Sequence, residues 1–193
     1  TTCYSVLAKD CADSQPKFAV LMKKIQKNGS EKKLKIITED NTIEVENMSG
    51  ELRVKVDGEQ IKSQNSLRKY NIEKRGENAI IFDNEDVFVR FDGVQADIRV
   101  NEIYKKHQCG LCGNYDGEYE GEFRSANGEE TEDLEKFHRS FLTKGDECDM
   151  EESELSNKKN YKKFGQTSYS REEEENNIYW AERKKKEKKK RFF

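Results

Sequence analysis

One stretch of nine residues holds most of the chemistry this sequence could do. Cys109-Gly110-Leu111-Cys112-Gly113-Asn114-Tyr115-Asp116-Gly117 brings two thiols, three glycines and two side-chain carbonyl groups close together. Residue type alone leaves three readings open. A CxxC pair can run thiol–disulfide exchange. Its cysteines can instead be halves of structural disulfides to distant parts of the chain. The oxygen-rich continuation through Asn114, Asp116, Glu118, Glu120 and Glu122 could bind a hard cation such as calcium, with Gly113 and Gly117 letting the backbone turn around it. An acidic loop is more often simply solvated.

Other catalytic patterns are missing. His107 and His138 are the two histidines, and neither belongs to a recognisable Ser or Cys nucleophile motif, so a triad is not expected. There is no phosphate-cradling GxxxxGK[ST] or GxGxxG loop. The expectation is a protein that is not an enzyme. A zinc site needs more close Cys or His pairs than one CxxC, and His107, two residues before Cys109, is the one hint of a metal.

The five cysteines, Cys3, Cys11, Cys109, Cys112 and Cys148, are an odd number. Either one thiol is free or its partner lies outside the chain. Asn28-Gly29-Ser30 and Asn47-Met48-Ser49 both fit the N-glycosylation acceptor pattern, and each lies in a polar stretch between apolar runs. Cysteines and sequons together point to a secreted, extracellular protein. No run of about 18 apolar residues is present, so no membrane span is expected. The sequence opens at Thr1 on strand-like residues, with no initiator Met or secretory leader, and is expected to be a piece of a longer precursor.

The elements that must position these residues read as short strands. Tyr4, Val6 and Ala8 alternate with Ser5, Leu7 and Lys9; Phe18 to Met22 is a continuous apolar run, suited to a strand buried on both faces. Alternation returns around Leu34–Thr38, Ile43–Glu46, Leu52–Asp57, Ala79–Asp83, Val87–Phe91 and Ala96–Val100, with turns at Asp57-Gly58 and Asp92-Gly93. Eight or nine strands at this spacing predict an all-β sandwich or barrel. Residues 129–142 switch to helical spacing through Leu134, Phe137, His138, Phe141 and Leu142. Acidic residues crowd the start of this helix, and Lys144-Gly145 closes it. After Met150 the apolar period is lost. Residues 151–193 carry 13 Lys/Arg against 9 Asp/Glu, a balance of +4, which leaves −7 on residues 1–150 out of the whole-chain −3. The acidic front argues against a nucleic-acid partner. The expected organisation is one domain over 1–149 and a charged, disordered tail over 150–193.

CGLCGNYDG, Cys109 to Gly117, resembles the signature of von Willebrand factor type D domains. The opening CYSVLAKDC, Cys3 to Cys11, resembles that family's early strand with its paired cysteines, and Phe137–Phe141 followed by Cys148 resembles its closing helix and last cysteine. CYSVLAKDC followed by PKFAVLMKK is most similar to invertebrate vitellogenins. The resemblance implies disulfides Cys3–Cys148 and Cys11–Cys109, and leaves Cys112 unpaired because its partner lies on a still earlier strand. It implies a partial calcium site of Asn114, Asp116, Glu120 and Glu122, lacking one upstream Asp and with Glu where Asn and Asp are usual. It further implies a non-enzymatic module of a secreted yolk lipoprotein precursor. The partners would be the rest of that parent and an oocyte receptor, and lipid would be held by other domains. The alternative is an adhesive or assembly module of a mucin-like extracellular protein. A thiol–disulfide oxidoreductase would need a βα context that this sequence lacks.

Overall fold

The structure is a computed structural model and describes residues 1–150 apart from 13–14, 49, 119 and 144–147. Two antiparallel sheets make up the fold. The larger contains β1 (Tyr4–Asp10), β2 (Phe18–Lys24), β3 (Lys32–Thr38), β4 (Thr42–Met48), β5 (Glu51–Val56) and β6 (Glu59–Ile61) in meander order. The smaller contains β7 (Ile72–Arg75), β8 (Ala79–Asp83), β9 (Val87–Phe91) and β10 (Ala96–Val100). Two short strands, β11 (Gln108–Cys109) and β12 (Leu142–Thr143), both pair with β1. The inward residues of both sheets form one core, including Val20, Leu34, Val45 and Val54 from the larger and Ile80, Phe82 and Val89 from the smaller. Of the sandwich or barrel that the alternation predicts, this is the sandwich. Phe18 and Tyr104 meet edge to face within it, ring centroids 5.0 Å apart.

Beyond the strands legible by alternation, the structure adds β6, β7, β11 and β12, each two to four residues long. Such short pieces carry no periodic signal of their own and exist because a neighbouring strand offers them an edge. The helix α1 (Gln64–Arg68) was likewise hidden; the Ser63 hydroxyl caps it by accepting from the Ser66 N–H.

Phe18, Ala19, Val20 and Leu21 are all buried, because the second face of β2 is also covered. Tyr4, Val6, Ala19 and Leu21 on that outer face pack under Phe137 of α2 (Leu134–Ser140) and under Phe141, its C-cap residue. The helix is shorter than the predicted 129–142. Asp133 caps its start, accepting from the N–H groups of Glu135 and Lys136. Glu130 instead makes an isolated bridge with Arg124. Leu142 is buried as a strand residue opposite Ser5, and Leu134 is 61% exposed. Of the five predicted positions, Phe137, His138 and Phe141 face the sheet as the helical period requires. Lys144 and Gly145, and the tail from residue 151 onward, lie outside the described residues.

Away from α2 the outer face of the larger sheet is a cross-strand charge ladder. Lys33 and Lys35 on β3 pair with Glu44 on β4, and Glu46 bridges Lys33 to Lys55 on β5. Partial burial works against both charges, but the lysines win at Glu44 and hold its carboxyl below the ordinary range, while Glu44 and Glu46 raise Lys33. High charge and a well-formed sheet are compatible because the charges face one another across strands.

Candidate functional site

The CGLC loop is assembled on an irregularity in β1. The β1–β2 register shifts between Val6 and Ala8, so Leu7 is the extra residue of a bulge. The Leu7 carbonyl accepts from the Cys112 N–H at 2.8 Å, and the Val6 carbonyl accepts from the Leu111 N–H at 3.0 Å. Gly110 lies directly against this backbone at φ +134°, and a Cβ there would overlap the Leu7 carbonyl. No other residue type fits without movement. Just upstream, β11 is held on β1 by the pairs Lys9↔Cys109 and Asp10↔Gln108, and Cys109 is bonded to Cys11 across a Cα separation of 5.9 Å. Leu111 then packs into the cluster beneath α2.

The second disulfide, Cys3–Cys148, joins the two ends of the described domain, Cα atoms 4.2 Å apart. Asp149 reinforces it. Its carboxylate accepts from the Thr1 hydroxyl at 2.7 Å and the Thr2 N–H at 2.8 Å, which hold its pKa down to about 2. No sequence pattern flagged this residue.

Cys112 is the free cysteine of the described residues. The residue is exposed, yet enough of the thiol's surroundings are protein that desolvation raises its pKa. A redox or nucleophilic cysteine needs the opposite shift. Cys109 is already committed to Cys11, so the CxxC is not a dithiol. The same bond removes Cys109 as a thiolate ligand beside His107. His138 shares a 3.1 Å hydrogen bond with the Ser5 hydroxyl, and burial, reinforced by Arg139, lowers its pKa. It acts as a neutral packing residue at the α2–β1 junction.

Of the four candidate calcium ligands, Asn114 and Asp116 are brought together, but they bind each other. The Asn114 Nδ2 donates to Asp116 Oδ2 at 2.9 Å, and the Asn114 Oδ1 accepts from the Asp116 N–H at 3.0 Å. Asp116 Oδ1 accepts from the Glu118 N–H at 2.8 Å, the main cause of its lowered pKa. Glu122 reaches over Gly113, where a Cβ would collide with its carboxylate. Glu120 is exposed. Among the described residues no three His, Cys, Asp or Glu side chains form a group able to hold a metal ion. The buried Gln108, also missed by sequence reasoning, anchors the loop by donating to the Gly113 carbonyl at 3.0 Å.

The two sequon asparagines occupy different environments. Asn28 is exposed at a turn between β2 and β3; Asn47 is half-buried in β4.

The sequence profile of the von Willebrand factor type D domain matches residues 1–129. The chain belongs to the von Willebrand factor type D family. The type D domain is also similar to vitellogenins. Vitellogenin-6 of Oscheius tipulae is 50% identical over 170 residues, covering 88% of this chain and 10% of that protein. Vitellogenin-2 of Caenorhabditis elegans is 47% identical over 165 residues, covering 85% and 10%. A vitellogenin of Oncorhynchus mykiss is 29% identical over 154 residues, covering 76% and 9%. The chain thus spans about a tenth of the length of these curated relatives. No helix of the described residues is long and apolar enough to cross a membrane.

Proposed function

We propose that this chain is the type D module of a secreted, vitellogenin-like yolk lipoprotein precursor, with a structural rather than an enzymatic role. The observation that carries this reading is 50% identity across 88% of the chain to a vitellogenin. The disulfides support an extracellular setting. Other domains of the parent hold the lipid cargo that feeds the oocyte, and an oocyte receptor takes up the assembled particle. Residues 1–149 are the folded unit, and 150–193 are a separate, charged segment. The thiol of Cys112 pairs with a cysteine elsewhere in the parent. Calcium binds weakly at the Asn114–Glu122 loop.

An antibody raised against residues 1–150 tests the central claim. It should detect, in yolk and in the fluid that feeds the ovary, a polypeptide roughly tenfold longer than this chain. A product confined to the cytosol, or one built of repeated type D modules, overturns the yolk reading. The exposed Cys112 favours one second reading, an assembly module that forms intermolecular disulfides. Ladders of disulfide-linked multimers on non-reducing gels of the native protein would select it.

A further inference from the structure

We propose that the type D domain carries one N-linked oligosaccharide, on Asn28, and that Asn47 carries none in the folded protein. The inference rests on the secretory reading above and adds a choice that the sequence cannot make, since both sites satisfy the same acceptor rule.

Asn28 sits in the turn Gln26–Gly29, which the Gly29 N–H closes onto the Gln26 carbonyl at 3.1 Å. Its neighbours Lys27 and Ser30 are exposed, as it is. No hydrogen bond engages its carboxamide among the described residues, so Nδ2 is free. Transfer joins Nδ2 to C1 of a sugar carried on a lipid pyrophosphate. The bond from C1 to the phosphate oxygen breaks, the lipid pyrophosphate leaves with the electron pair, and Nδ2 gives up one proton. At Asn28 the product projects into solvent and the hairpin is unchanged. The glycan stands next to Lys27, whose ammonium lies 3.7 Å from Asp149, and so flanks the seam closed by Cys3–Cys148.

Asn47 is opposite Leu52, a residue of the inner face. Its Oδ1 already accepts from the Gly50 N–H at 2.9 Å. Its Nδ2 lies 3.0 Å from where a Cβ on Gly93 would stand, with Leu52 Cδ2 3.2 Å from the same point. Gly93 is buried, and its carbonyl accepts from the Lys32 N–H at 2.8 Å, which pins the β9–β10 turn over the end of the larger sheet. A sugar on Asn47 Nδ2 would need the space that this turn fills. A chain modified there must give up the turn's contact before the sandwich closes, and closed molecules are therefore depleted of it.

The test uses the full chain, secreted from insect cells behind a supplied signal sequence. The disulfide-closed fraction is treated with peptide N-glycosidase in heavy-oxygen water and mapped by mass spectrometry. The heavy-oxygen label is expected at position 28 and not at 47. Ser30→Ala, which removes the acceptor hydroxyl without touching the asparagine, should abolish the mobility shift on gels, and Ser49→Ala should leave it unchanged. An occupied Asn47 in the closed, secreted protein, or an unoccupied Asn28, overturns the inference. Because the signal is supplied, that outcome bears on the choice of site alone; failure of the yolk reading would show in the antibody experiment instead.

Discussion

Replacing Gly110 with Ala tests how the CGLC loop is held. The new methyl would fall on the Leu7 carbonyl, and the backbone there is at φ +134°. A residue with a side chain held in such a region costs of order 1–3 kcal/mol. Relief requires the loop to lift from the bulge, which strains the bonds from Leu111 N–H to Val6 and from Cys112 N–H to Leu7. Each is worth about 0.5–1.5 kcal/mol net. The expected loss is therefore about 2–6 kcal/mol, a large part of the ~5–15 kcal/mol that holds a domain of this size. Urea unfolding of the oxidised protein reads it as a lower midpoint at unchanged slope. Gly76→Ala is the control: its φ is +61° but no atom lies within 4 Å of the new methyl, so only the roughly 1–2 kcal/mol left-handed penalty applies. Equal losses for the two variants would refute the idea that close approach to β1, rather than backbone conformation alone, demands glycine at 110.

Three further outcomes are expected. Removing Cys11–Cys109 by a double Ser substitution opens a connection 98 residues apart in sequence, for which chain entropy gives about 4–5 kcal/mol, and a loss under about 1 kcal/mol by urea titration would show that β11 stays docked without it. The Asp149 carboxyl has a depressed pKa, so its contribution is fully present above the ordinary Asp range near 4 and fades as pH falls through about 2. The melting-temperature gap between wild type and Asp149→Asn should thus be constant near neutrality and close in acid; a gap that grows on acidification would contradict this. Calorimetric titration with calcium should give weak binding, abolished by Asp116→Ala, because an incoming ion must break the Asn114–Asp116 bonds; tight binding would show that those bonds cost nothing to open.

The sequence made the sheets legible where burial has a period. Leu52, Val54 and Val56 alternate with Arg53 and Lys55, and the alternation maps onto the two faces of β5. Phe18–Leu21 showed that one strand is covered twice, though not by what. The helix was overextended because Leu142 stands four residues after His138, a helical step, while belonging to a strand. Periodicity cannot separate a helix face from the first residue of a strand that follows it. Gln108, Gly110 and Asp149 were invisible for a different reason. Gly110 and Asp149 act through contacts with residues more than 100 positions away, and Gln108 through a backbone carbonyl five residues on, and no periodic pattern encodes such contacts. The two sequons show the same limit, since the turn that crowds Asn47 arrives from the other sheet.

The density of special residues in CGLCGNYDG follows from how the loop is built rather than from a reaction. Cys109 closes β11 onto β1, Gly110 permits the crossing over Leu7, and Leu111 inserts beneath α2. Asn114 and Asp116 use their side chains to fold the next turns, as Asn and Asp do when their oxygens accept from the backbone two residues on. A catalytic loop keeps its reactive groups unsatisfied until substrate arrives; here the Asn114 carboxamide and the Asp116 carboxylate are already engaged within the loop. The Cys112 thiol is placed at the surface by a backbone bond to β1, and desolvation raises its pKa. A thiol that is accessible, rigidly placed and slow to react suits a bond made once, during assembly with a matching cysteine, better than one made and broken at every turnover.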